Sequence, residues 1–336
     1  MIGKGIPDLI TFSRLNKATN ELKARMQDVS EEAVTGVLAD IPKSIGGRIG
    51  EANLIKKALG DIESRTTQYG LVSSRIEAMG AALGNIRNTL DDIGARSLVM
   101  FDSPDPTTIG TIATESEIAL GSVFSMLNTS HGTRALFGGD LTDQVPLEDV
   151  QTLLTDIRAI VASSTDPVAL DAALDTYFDD PAGGFQTNMY KGGANTASAV
   201  TLANGTRIDY SVKADDKALR DTIRGLAVLA AAESAIMPAG GDDFETFMKA
   251  EISNIENGRV GILDSEARLG VSLQALDRAM ENDASERQIL TAVYQTMVGR
   301  DQYEAAAELK QIETQLEASY VLTARLSNLK LVNFIS

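Results

Sequence analysis

The chain has 336 residues, a formal net charge of −17, a single histidine, and neither cysteine nor tryptophan. The acidic balance argues against nucleic acid, whose binding needs clustered Lys and Arg to displace counterions, and against an anionic membrane surface. No cysteine means no disulfide and no thiolate metal site, and no run reaches the ~20 apolar residues that span a bilayer.

In chain order, the first segment, "MIGKGIPDLITFSRL", places Asp8 and Ser13 inside any would-be apolar run, so no cleaved secretory signal is expected. Phe12, Leu15, Thr19, Leu22, Met26, Val29 and Ala33 then alternate spacings of three and four, the pattern of one helix face. Pro42 and the Gly46–Gly47 pair interrupt it within "TGVLADIPKSIGGRIG". Ile55, Ile62, Tyr69, Ile76, Leu83 and Leu90 recur every seven residues, accompanied by Ala58, Val72, Met79, Ile86 and Ile93, with Arg65 the one misfit. This predicts a helix over about 51–100, too long to bury inside a globule and so packed along other long helices. A Pro-rich turn and a helix over about 106–130 follow, ending in "NTSHGTRALFGGD".

Residues 140–215 read as a small mixed segment. It has short helices at 147–163 and 166–178, the second opened by Asp166–Pro167, and a hairpin at 198–212 with a two-residue turn at Asn204–Gly205. Helix resumes near 216 and continues from about 243 to the end, with a break expected near 281–288. Leu309, Ile312, Leu316, Ser319, Thr323, Leu326 and Leu329 form a last stripe. The fold class expected is mainly α: a long antiparallel helical rod or bundle of N- and C-terminal segments with a small α+β insert.

The sequence is poor in chemistry. Gly-x-Ser-x-Gly, the phosphate-binding glycine loops and any His or Cys pair for a metal are absent. Asp91–Asp92, Asp179–Asp180, Asp215–Asp216 and Asp242–Asp243 read as helix caps ahead of catalysis or calcium, and His131 as an ordinary turn residue. No catalytic residue, cofactor or metal is expected. An internal core accounts for the 55–93 seam. The terminal stripes are instead expected to be buried between molecules, through Phe12, Leu15, Leu22, Met26 and Val29 at one end and Leu309, Ile312, Leu316, Leu326 and Leu329 at the other.

"ATESEIALGSVFSMLNTSHGTRALFGGD" (113–140), "MYKGGANTASAVTLANGTRIDYSV" (189–212) and "DQYEAAAELKQIETQLEASYVLTARLSNLKLVNFI" (301–335) resemble the flagellin superfamily of bacterial flagellar axial proteins. The likeness rests on Asn128, Gly132, Phe137, Gly138 and Gly139; on Tyr190 and Gly192; and on Tyr303, Ala306, Leu309, Leu316, Ala318 and Ser319. Arg268, Gly270 and Leu276 match more loosely, and the 35–50 loop lacks the family's basic and double-Asp elements. Within the superfamily the resemblance points to the proteins that join hook to filament. It implies a non-enzymatic, exported, extracellular subunit of the flagellum. Its partners would be further copies of itself, another hook-associated protein, flagellin and a flagellar export chaperone. The implied organisation is an assembly helix and loop at 1–50, a helical rod of 51–139 with 216–308, an outward insert at 140–215 and a C-terminal assembly helix at 309–336. A filament subunit, a cytoplasmic coiled-coil adaptor and, further behind, an enzyme housed in the insert are the rival expectations.

Overall fold

The computed structural model describes residues 6–101, 106–196, 199–232 and 242–335. In chain order the elements are α1 (Ile6–Thr35), α2 (Ile41–Ile45), a 3-10 turn (Gly46–Arg48), α3 (Ile49–Phe101), α4 (Pro106–Leu127), β1 (Ser130–His131) and β2 (Arg134–Ala135). There follow α5 (Val150–Ser163), α6 (Pro167–Asp179), a π turn (Phe185–Met189), β3 (Ala199–Thr201), β4 (Arg207–Asp209), α7 (Lys217–Ala231), α8 (Asp242–Val298) and α9 (Gln302–Ile335). The fold is mainly α, and the described strands form two antiparallel two-stranded ribbons, β1–β2 and β3–β4. Two compact units divide the chain: residues 66–281, and residues 1–65 together with 282–336.

In the unit of residues 66–281, the sevenfold seam is the core. Tyr69, Ile76, Leu83 and Leu90 are buried, as are their companions Val72, Met79, Ile86 and Ile93. They share a cluster with Met248, Ile255, Ile262, Leu269 and Leu276 of α8, which also recur every seven residues. Arg87 pairs with Glu266 at 3.0 Å and Asp91 with Arg259 at 3.6 Å, so α3 and α8 run antiparallel here. Ile112, Leu120 and Val123 of α4 and Ile223 and Leu226 of α7 join the same cluster, whereas Ile118 is 67% exposed on the opposite face of α4. Leu153 and Ile157 of α5 and Leu170 and Phe178 of α6 belong to it too. The 140–215 segment therefore shares one core with the long helices.

Helix α7 approaches α8 at backbone distance. A Cβ on Gly258 would lie 2.2 Å from Thr222 Oγ1 and 2.7 Å from the Ala218 carbonyl oxygen. Beside this crossing, buried Arg224 meets buried Glu251 of α8 at 2.8 Å and the two exposed carboxylates Asp171 and Asp175 of α6. The guanidinium thus ties three helices together.

Three expectations change. The hairpin turn has three residues: Gly205 N–H donates to Leu202 O at 2.9 Å, and of the turn residues only Gly205 has positive φ, +83°. A two-residue type I′ turn would need Asn204 there as well; a type I turn followed by a left-handed glycine avoids that strain. Helix α8 passes unbroken through 281–288, and the break falls at 299–301. The acidic pairs are only partly caps. Asp216 is the N-cap of α7 and Asp180 follows α6, but Asp91 and Asp92 lie inside α3. The Asp242 and Asp243 side chains lie outside the described residues.

The other unit, residues 1–65 and 282–336, holds two clusters. Ile45, Ala52, Ile55, Met297 and Val298 form one; Val29, Ala305, Ile312 and Leu316 form the other. The helix break is made by Asp301, whose carboxylate accepts from the Tyr303 and Glu304 N–H groups at 2.8 and 3.1 Å and so starts α9 afresh.

Candidate assembly interface

Helices α1 and α9 pair side by side. Gly36, at φ +69°, ends α1, with its N–H donating to the Glu32 carbonyl at 2.9 Å. The segment after α1 is then stitched to the start of α9. Leu38 N–H donates to Val298 O at 2.9 Å, Arg300 N–H to Gly36 O at 2.8 Å, and Gln302 Nε2 to Val34 O at 3.2 Å. With Gln302 beside Val34 and Glu308 beside Arg25, the helices are antiparallel.

The expected interface residues divide three ways. Val29, Ile312 and Leu316 are buried, and Leu22, Met26 and Leu309 pack partly buried against them. Leu15 is half-buried, and its carbonyl accepts from buried Thr19 Oγ1 at 2.8 Å. Phe12, Leu326 and Leu329 lie on α1 and α9, but their side chains are outside the described residues. Within one chain, then, the two stripes cover each other. Among the described residues, the apolar side chains of α1 and α9 left in solvent are off the stripe: Ile10 at 48% exposure, Val34 at 77%, Tyr303 at 90%, and Tyr320, Val321 and Leu322 at about half.

Sequence reasoning missed the charges that hold this pair. Arg25 meets Glu308 at 2.9 Å, Glu308 meets Arg300 at 2.8 Å, and Arg300 reaches Glu32 at 3.6 Å. Glu32 is only 2% exposed, and its other oxygen accepts from the Ala39 N–H at 3.2 Å. The only trace in sequence is Glu32 itself, three residues after Val29 and beside Ala33 at the edge of the stripe. Alongside, Met26, Val34 and Leu309 floor a groove of about 510 Å³ edged by Glu31 and Glu313.

In the unit of residues 66–281, two of the motifs singled out in the sequence meet. Gly193 N–H donates to Gly138 O at 2.8 Å, and Tyr190 Oη donates to Gly193 O at 3.0 Å. Asn195 Nδ2 donates to Asp140 at 2.9 Å, which holds that carboxyl below its ordinary range. Burial raises the Tyr190 phenol. A Cβ on Gly193 would fall 1.5 Å from Asp140 Oδ1, so the contact requires glycine.

Chemistry finds little to build on. His131 Nε2 lies 3.3 Å from Ser74 Oγ, but that hydroxyl donates to the Leu71 carbonyl at 3.1 Å. Among the described residues no group of three or more His, Asp or Glu side chains could hold a metal, and no helix is long and apolar enough to cross a membrane.

Residues 252–335, which contain most of α8 and all of α9, match the family described as the bacterial flagellin C-terminal helical region. In fold the chain is similar to the crystal structure of FlgL from Bacillus cereus, with a TM-score of 0.51 at 14% identity over 72% of this chain and 98% of that one. A Vibrio parahaemolyticus protein described as a flagellar hook-associated protein aligns at TM-score 0.43 and 15% identity, over 71% and 95% of the two chains. No curated protein sequence matches.

Proposed function

We propose that this chain is a structural axial subunit of the bacterial flagellum, one that polymerises through its α1–α9 pair and joins hook to filament. The carrying observation is that pair: two helices from opposite regions of the sequence fold into one arm, and its α9 half lies inside the matched flagellin region. The action is association without bond chemistry. Other copies, another hook-associated protein and flagellin are the neighbours, and the 140–215 segment faces outward. A flagellar export chaperone covers the arm beforehand, and the chain reaches the cell exterior through the flagellar export apparatus without losing a signal peptide. A two-helix arm with a narrow apolar seam has little buried area to offset its ordering entropy. Neighbours supply the remainder on assembly, which keeps the free subunit from polymerising early.

A second reading is the filament subunit itself, favoured by the matched region being flagellin's own. One experiment separates the two. In a clean deletion strain, hooks without filaments and monomeric flagellin in the medium support the junction. Hooks without filaments and no flagellin anywhere support the filament subunit. Normal filaments would overturn both.

A further inference from the structure

The α1–α9 arm is electrically polar along its length. Among the residues whose side chains are described, 13–17 of α1 and 318–325 of α9 carry three basic side chains, Arg14, Lys17 and Arg325, and no acidic one. Residues 18–35 of α1 and 302–317 of α9 carry three basic against eight acidic. Because the helices are antiparallel, these sets occupy opposite ends of one arm.

Each end also presents matched local features. At the acidic end, Glu31 and Glu313 edge the apolar groove over Met26, Val34 and Leu309, and among the described residues neither carboxylate has a cationic partner. At the basic end, Arg14 and Arg325 are exposed, likewise without a carboxylate partner among the described residues, near exposed Val321 and Leu322. An apolar depression between two unpaired carboxylates is complementary to apolar side chains near two unpaired guanidinium groups. The two surfaces belong to one molecule and lie roughly 25 Å apart along α1 at the usual helical rise.

We propose that the occupant of the acidic groove is the basic end of the arm of a second copy, with Val321 and Leu322 entering over Met26 and Leu309 while Arg14 and Arg325 meet Glu31 and Glu313. This rests on the assembly reading above and makes it directional. Each copy offers two different surfaces, so the contact is head-to-tail and propagates into a ring or a helical row; a two-fold dimer would instead pair like with like. The same polarity disfavours side-by-side copies in register, where like charges would face each other.

The test uses the full chain, which has no cysteine of its own. Ser30→Cys, at the groove, and Val321→Cys, at the basic end, keep all four charged groups. The two variants are mixed at low salt and oxidised. The expected result is a 30-to-321 cross-link exceeding either like-with-like cross-link at least about fivefold, and falling when salt shortens the screening length. Adding Glu313→Arg to the first variant should remove that excess, and adding Arg325→Glu to the second should bring it back. Equal yields of all three cross-links, a 30-to-30 or 321-to-321 excess, a salt-independent yield, or no cross-link at all would overturn the proposal. The assembly reading stands or falls separately, by the deletion strain. A 30-to-321 cross-link together with normal filaments in that strain would leave the polarity intact and the flagellar role refuted.

Discussion

Arg65 and Asp283 occupy facing apolar registers at one level. Arg65 stands where Ala58, Val72, Met79, Ile86 and Ile93 set the pattern on α3. Asp283 continues the sevenfold series Met248, Ile255, Ile262, Leu269 and Leu276 on α8. The guanidinium donates to both carboxylate oxygens, Nη2 at 2.9 Å and Nε at 3.2 Å, and Asp283 is buried. Two charges that look like errors in separate stripes are one bidentate pair. Removing either partner should cost about 1–3 kcal/mol, below the cost of a fully buried pair because Arg65 keeps some solvent access. The double replacement Arg65→Leu with Asp283→Leu should recover most of that. Urea unfolding of the two single variants and the double gives the coupling; additive losses would refute the pairing.

Arg224 holds a deeper charge. Its Glu251 partner is almost fully buried, whereas Asp171 and Asp175 can turn to water. Arg224→Met should therefore cost about 3–5 kcal/mol, chiefly from the stranded Glu251, and adding Glu251→Met should restore much of it. The check is the urea midpoint, with Asp171→Asn as a control expected to change it little.

Gly193→Ala should destabilise the motif contact by about 1–3 kcal/mol, because the new methyl must displace Asp140 from Asn195. Asp140 also gives an acid-side signature. Its folded pKa lies below its ordinary 3.8, so its contribution is complete above that value and is lost as pH falls through the folded pKa. In Asp140→Asn this part of the pH dependence should vanish from melts taken between neutral and acid pH.

Leu316→Asp puts an unpaired carboxylate between α1 and α9 and should open the arm. Limited proteolysis is expected to clip within α1 and α9 sooner, while the unfolding transition of residues 66–281 keeps its midpoint. Unchanged cleavage would show that the stripes do not hold the arm.

The elements were readable wherever one apolar period ran undisturbed. The 55–90 series placed α3 within a residue or two, and Asp166–Pro167 marked the start of α6 to the residue. Where the period was interrupted by charge, the reading failed. The acids of 281–288 suggested a break because the Arg65 that compensates Asp283 lies more than two hundred residues away. The real break at 299–301 is set by the Asp301 cap and by backbone bonds to Gly36 and Leu38, whose partners are equally remote.

By itself, the sequence determined the class of fold and the apolar faces of its helices, since heptad spacing is a local property and the flagellin resemblance is written in local motifs. Only the tertiary structure decided which stripes cover each other. It buried Val29, Ile312 and Leu316 together, left Val34, Val321 and Leu322 in solvent, and gathered opposite charges at opposite ends of one arm. The physical reason is that a stripe specifies that a face must be buried but not against what. That choice depends on register between segments nearly three hundred residues apart, fixed by a few hydrogen bonds at Gly36, Arg300 and Gln302.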